Sequence, residues 1–179
     1  MVAVVGCSLE WASDLNRLRE MFASPVIVAV GLDCPYREKV DYFATYHIED
    51  INAYFEKRCK EKLNLDYKVI THTDDFIKYE KGTRKKVKKE KTIIDIIYPY
   101  EPPSGSSSLL ATKAMIKQGF DKIVLCGCPL EGTNKDNLSY TQFQRGWMKH
   151  RVSLGDKVRS MSGWTKEYLG EPTKEWVEA

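Results

Sequence analysis

Residues 2–8 read Val2-Ala3-Val4-Val5-Gly6-Cys7-Ser8, and residues 122–128 follow the same plan as Lys122-Ile123-Val124-Leu125-Cys126-Gly127-Cys128. Each is a short β-rich apolar run closed by a glycine and a small polar or thiol residue. Neither alternates apolar with polar positions, so both faces of each strand are to be buried. That is the condition of a strand in a parallel sheet covered by helices. Four further runs fit the same reading: Pro25–Val30 closed by Gly31, Val40–Thr45 closed by His47, Tyr67–Ile70 closed by His72, and Ile93–Ile97 ended by Pro99, Pro102 and Pro103. Between them lie helical spacings. Leu9–Phe22 carries Leu15, Leu18, Met21 and Phe22, and Ile48–Leu63 turns Ile51, Tyr54, Phe55 and Cys59 inward. Ser104–Gln118, Ser139–His150 and Trp164–Leu169 also read as helices, with a short strand at Lys157–Arg159. The alternation predicts a single doubly wound, mostly parallel α/β sheet of Rossmann-like type, with helices on both faces and one domain over residues 1–179.

Composition agrees with one domain. The 179 residues are 42% hydrophobic and 30% charged, enough to bury a core without disulfides or a structural metal. No apolar run is long enough to span a membrane, and the first residues lack the basic start of a signal peptide. The five cysteines are odd in number and contain no CxxC pair, which points to reduced thiols and a cytoplasmic protein, in a host cytoplasm if viral. Charge is concentrated. Lys78–Lys91 holds eight basic and two acidic residues, +6 against a chain total of +3, so the remainder of the chain is −3. This segment is either a solvated loop or hairpin arm protecting a sheet edge, or an electrostatic hand for phosphates, including those of a nucleic acid.

In an open parallel sheet the ligand sits beyond the carboxyl ends of the strands, where the strand order reverses. The residues at those ends are therefore the candidate site: Gly6, Cys7 and Ser8, Gly31 and Asp33, His47, His72 and Asp74, and Gly127. The spacing of these Cys and His residues matches no zinc frame, and no metal ligand set is expected. Pro102-Pro103-Ser104-Gly105-Ser106-Ser107-Ser108 opens a helix and is the strongest anion candidate. Its free amides and positive dipole end favour a phosphate, with Ser104, Ser106 and Ser107 adding hydroxyls and Gly105 allowing close approach. The same serines also suit plain helix capping. GxGxxG and GxxxxGK[ST] are both missing, which argues against a dinucleotide and against a P-loop NTPase. Arg145 and Arg159 are candidate phosphate partners. His47 and His72 are candidate general bases, with Asp74 or Asp75 orienting them or sharing the role, and Trp147 and Trp164 read as packing residues.

The G-x-S-L element at Gly6–Leu9, together with P-x-S-G-S-S-x-x-x-A-x-x-A-x-x-x-x-G-F-D-x-I-x-L-x-G over Pro102–Gly127, resembles bacterial sialyltransferases and 6-hydroxymethylpterin pyrophosphokinase-like proteins. The closing stretch Arg159-Ser160-Met161-Ser162-Gly163-Trp164-Thr165, with Leu169-Gly170-Glu171-Pro172, is similar to a small, often phage-encoded Rossmann-like family. The sialyltransferase resemblance implies that Gly6, Ser8, Ser104, Gly105 and Ser106 grip a cytidine monophosphate-sugar. It also implies a histidine after the Ser-Gly helix, a place only His150 can fill, although Lys149-His150-Arg151 reads as a surface helix end. The expectation is a nucleotide-binding, glycosyltransferase-like enzyme with a nucleotide-sugar donor. It calls for no defined cofactor and leaves a divalent cation open. One alternative is a non-catalytic protein, viral in origin, that sequesters or senses a nucleotide. Another is a nucleic-acid accessory protein that uses residues 78–91.

Overall fold

The computed structural model describes residues 1–73, 77–80, 83–88, 94–104, 106–132 and 139–179, with only the backbone of 77–80 and 83–88. Seven strands, β1 (Val2–Val5), β2 (Val26–Val30), β3 (Tyr42–Ala44), β4 (Lys68–Thr71), β7 (Ile96–Ile97), β8 (Ile123–Cys126) and β9 (Val158–Ser160), form one sheet in the order β7-β4-β3-β2-β1-β8-β9. Every pairing in it is parallel. The chain moves outward from β1 through β2, β3, β4 and β7, then returns to the other side of β1 for β8 and β9. The order reverses between β1 and β8. Two strands, β5 (Ile77–Glu80) and β6 (Thr83–Lys88), form a separate antiparallel hairpin within the β4–β7 connection. The basic segment is thus built around a hairpin arm.

The unbroken apolar runs bury both faces, as expected. On one face Val2, Val4, Val28, Ile70, Ile123 and Leu125 pack under α3 (Ser106–Lys117), α4 (Thr141–Leu154) and α5 (Gly163–Leu169). On the other, Ala3, Val5, Ile27, Ala29, Phe43, Val124 and Cys126 pack under α1 (Trp11–Met21), α2 (Glu49–Lys60) and α6 (Lys174–Glu178). Strand starts are set by a repeated device. Asp41, just before β3, accepts the Ile27 amide at 2.8 Å, and Asp95, just before β7, accepts that of Val69 at 2.7 Å. Of the predicted run Ile93–Ile97, Ile96 and Ile97 form the strand, and the Asp95 amide already donates to the Val69 carbonyl at 3.1 Å.

Two expectations are corrected by the helices. Phe55 and Cys59 are exposed, and the buried stripe of α2 is Ile51, Tyr54 and Arg58. Arg58 takes the inward place because its guanidinium reaches groups that apolar residues cannot serve. It donates to the carbonyls of Asn64 and Glu38 at 2.8 and 3.0 Å and to the Asn64 side chain, and it lies 5.7 and 5.8 Å from the ring centres of Tyr54 and Tyr67. The second correction concerns α4, which runs on to Leu154, so His150 is a buried mid-helix residue and not a surface helix end. Among the described residues no helix is long and apolar enough to cross a membrane.

Trp147 is fully buried between α4 and the sheet. Trp147→Ala is expected to cost about 3–5 kcal/mol, and urea denaturation checks it through a lowered midpoint at unchanged slope.

Candidate functional site

The reversal between β1 and β8 opens a cleft of about 740 Å³ at the carboxyl edge of the sheet. Its floor is Gly6, Cys7 and Ser8 after β1 and Gly127 and Cys128 after β8. Val30, Gly31 and Asp33 after β2 form one wall, and Ser106, Ser107 and Ser108 at the start of α3 form another. Pro129, Leu130, Glu131, Tyr140, Ser162 and Gly163 complete the rim, together with Glu10. The volume suits a nucleotide-sized ligand.

Close approach of the β1 and β8 loops depends on glycine. A methyl at Gly6 would lie 2.4 Å from the Gly127 carbonyl oxygen and 2.6 Å from Cys128 Sγ. Gly127 itself sits at φ +66° with Trp11 Cβ 2.6 Å from where its own methyl would be. The β8 loop is tied from beneath to the segment after β9 by Asp14, which is 2% exposed on α1. One of its oxygens accepts both the Gly127 amide at 2.8 Å and the Ser162 hydroxyl at 2.7 Å. The rim that follows is held by two other helices. Thr165 Oγ1 donates to the Cys128 carbonyl at 2.8 Å, and Gln144 donates to the Leu130 carbonyl at 2.9 Å. These bonds occupy groups on the protein side of the loops and leave the cleft side open.

The cleft is electrically polarised. α3 has no acidic residue in its first turn, whereas α1 has Asp14 and α2 has Glu49 and Asp50. The positive end of α3 is therefore not offset from within the helix, and its first amides have no intrahelical acceptor. The Ser106 and Ser108 hydroxyls meet at 2.6 Å beside it, while Ser107 Oγ faces away to accept the Tyr46 amide at 3.1 Å. Among the described residues lining the cleft, the charged side chains are Glu10, Asp33 and Glu131, all acidic. The Ser8 hydroxyl is buried without a partner in hydrogen-bonding geometry among the described residues, yet it lies near enough to Glu10 to hold that carboxyl below its ordinary range. Cys128 is a poor nucleophile, because burial pushes its thiol far up. Burial also raises the Tyr140 phenol.

Of the residues singled out in the sequence, Gly6, Cys7, Ser8, Gly31, Asp33, Ser106, Ser107 and Gly127 come together in this cleft. Ser104 precedes α3 and is half-buried, outside the lining. Gly105, Asp74 and Asp75 lie outside the described residues. His47 and His72 stand at the ends of β3 and β4, beyond the serine wall. His47 is exposed and 3.6 Å from Glu49, and His72 packs between the rings of Tyr46 and Tyr100 with a buried Nδ1. Arg145 is exposed on α4. Arg159 serves structure: it donates to the carbonyls of Val158 and Leu169, pairs with Asp156 and lies 5.3 Å from the Trp176 ring centre. His150 sits 3.4 Å from Glu101 and 3.5 Å from Lys113, away from the cleft.

Sequence reading missed Asp14, Glu10, Glu131 and Tyr140. Asp14 carried a signal, a carboxylate one turn before Leu18 on the apolar face of an amphipathic helix. Glu131 and Tyr140 carried none; both line the cleft, and Glu131 follows a turn of the backbone at Leu130, φ +52°. Among the described residues no group of three or more His, Cys, Asp or Glu is placed to hold a metal ion. Comparison with family models, curated proteins and solved structures finds no match to the chain.

Asp14→Ala is expected to lower stability by about 1–3 kcal/mol, since it leaves a buried amide and hydroxyl unpaired, and urea titration checks this against a smaller loss for Asp14→Asn. Acidification acts through the histidines. Burial lowers the pKa of His72, aided by His47, and lowers that of His150, aided by Lys113, in both cases from 6.5. The unfolded chain thus takes up protons first, so the stability held above pH 6.5 is lost as pH falls toward the folded values. Urea titrations at about pH 7.5 and 5.5 are expected to show a drop that shrinks in both His72→Gln and His150→Gln.

Proposed function

We propose that this chain is a nucleotide-binding enzyme of glycosyltransferase type, with a nucleotide-sugar donor lying in the cleft between the β1 and β8 loops. The observation that carries the reading is the polarity of the cleft. One wall is the positive, acid-free end of α3 with the Ser106–Ser108 hydroxyl pair, and the other charged groups are carboxylates. A ligand matched to both must present anionic oxygens at one end and hydroxyl donors at the other. A nucleoside phosphate bearing a sugar does so. Asp33, after β2, lines the cleft, and in this reading its carboxylate accepts ribose hydroxyls. Gly6, Cys7 and Ser8 bring bare backbone toward the phosphates.

For the transfer step, the carboxylates at the rim are better placed than the imidazoles. Glu10 and Glu131 line the cleft, where a carboxylate can take a proton from an acceptor hydroxyl. His47 and His72 stand outside the lining. The resemblance to sialyltransferases makes a cytidine nucleotide the first donor to try.

A panel of nucleotide sugars at about 100 times their dissociation constants is expected to include one that stabilises the fold by about 2.7 kcal/mol, a midpoint shift of roughly 5–10 °C. Asp33→Ala should lose most of that shift while keeping the unliganded midpoint. A panel that leaves the midpoint unmoved opposes nucleotide binding. A bound donor recovered intact after prolonged incubation with acceptors favours sequestration over transfer.

A further inference from the structure

The cleft has two chemically different halves, and the strand order separates them. In the run β2-β1-β8-β9, Val30, Gly31 and Asp33 line it from the β2 side, whereas Pro129, Leu130 and Glu131 follow β8 and Ser162 and Gly163 follow β9. The Gly6–Ser8 loop after β1 lies between. Tyr140 belongs to the β8 half. Its amide reaches the Gly132 carbonyl at 3.5 Å, and one turn further along α4 Gln144 donates to the Leu130 carbonyl. Tyr140 carries the one aromatic ring among the described lining residues, half-buried and backed by Phe143 at 5.9 Å between centroids. Burial, then the nearby Cys7 and Cys128 thiols, raise its phenol, which puts the ring beside the cleft floor.

The β8–β9 half is held rigidly and offers hydrogen-bond acceptors. Gly163, at φ +64°, lets the two loops close on each other, since a methyl there would lie 2.2 Å from Pro129 Cβ. Thr165 bonds the same stretch twice, its amide to the Pro129 carbonyl at 3.2 Å and its hydroxyl to that of Cys128 at 2.8 Å. Ser162 gives its one hydroxyl proton to Asp14 at 2.7 Å, so only the lone pairs of that oxygen remain for a ligand. Glu131 adds a carboxylate, and among the described residues lining the cleft there is no Lys, Arg or His to pair with an anion.

An occupant of this half must present an apolar face to the ring, O–H donors around its edge and no negative charge. A nucleobase has the face but few donors, with acceptors set between them. A carboxylated or phosphorylated sugar has the donors, but its charge is repelled by Glu131 and finds no cation. An uncharged pyranose meets all three requirements, because its axial C–H bonds form an apolar face that lies against the electron-rich face of an aromatic ring. We infer that the β8–β9 half of the cleft seats an uncharged pyranose, with Tyr140 under its C–H face and Glu131 and Ser162 accepting its hydroxyls. The inference rests on the nucleotide-sugar reading and adds the sugar's place and charge. With the ribose at Asp33 on the β2 side and the phosphates at the β1 loop and α3, the sugar of the donor falls to the β8–β9 side.

The test is isothermal titration calorimetry with ADP, CDP, GDP and UDP, their glucose, galactose and mannose esters, and the glucuronates made by oxidising the glucose esters at C6. At least one uncharged ester is expected to bind on the order of tenfold more tightly than its bare diphosphate, and the glucuronate no more tightly than that diphosphate. The ratio of ester to diphosphate affinity is the readout, because a general loss of folding weakens both alike. Tyr140→Phe should keep the ratio, and Tyr140→Ala should bring it close to one while the bare diphosphate binds as before. Glu131→Lys, at an exposed position, should turn the preference toward the glucuronate. A bare diphosphate that binds with no gain from any of the three sugars overturns the inference alone. So does a glucuronate as tight as the glucose ester, a Tyr140→Ala variant with an unchanged ratio, or a Glu131→Lys variant that still rejects the glucuronate. If neither the diphosphates nor their esters bind, the nucleotide reading of the cleft falls and takes the inference with it.

Discussion

One buried carboxylate organises the functional edge of this protein. Asp14 joins the loop after β8 to the segment after β9 by accepting from Gly127 and Ser162 through a single oxygen, and it does so from a helix fixed to the sheet by Leu15 and Leu18. A parallel sheet ends all its strands at the same edge, and where the strand order reverses the following loops diverge and leave a crevice. Left alone, a loop of small residues at such a point would sample many conformations. The Asp14 bonds, the glycine contact between Gly6 and Gly127 and the Thr165 and Gln144 anchors reduce that freedom before any ligand arrives. A site formed in advance does not have to order its own loops on binding.

The polarity of the cleft follows from the same architecture. α3 crosses the sheet to lie over β1, β2, β3, β4 and β8, so its first turn comes out above the reversal point. Its lack of acidic residues there leaves the helix end positive, while Glu131 and Tyr140 stand elsewhere on the cleft lining. The histidines are displaced from the cleft for a related reason. They end β3 and β4, two and three strands out from β1, and the serine wall stands between. His72 packs against the rings of Tyr46 and Tyr100, and His47 faces Glu49.

The apolar strand runs, their glycine ends and the helical spacings were enough to foretell a parallel sheet buried on both faces, because burial on two sides leaves a direct mark on local composition. The strand-end rule then pointed to Gly6, Ser8, Asp33 and Gly127, and the helix-start reading to Ser106, all of which line one cleft. What stayed hidden depends on three-dimensional neighbours. Arg58 is buried because the carbonyls of Glu38 and Asn64 come to it, and helical spacing alone favoured Phe55 and Cys59. Glu131 lines the cleft just past Leu130, whose positive φ no residue preference announces. Arg159 had the right chemistry for a phosphate, yet its guanidinium is taken up by the segment it closes.

The central claim is that the reversal point between β1 and β8 is a binding site for a nucleotide. Hydrogen–deuterium exchange of the whole chain, with and without the nucleotide sugar that most raises its melting midpoint, tests it most directly. The account predicts slowed exchange at residues 6–10, 31–33, 106–108 and 127–131 together, since these four segments line one cleft. Protection confined to other segments, or none at these four while the ligand is bound, would contradict it.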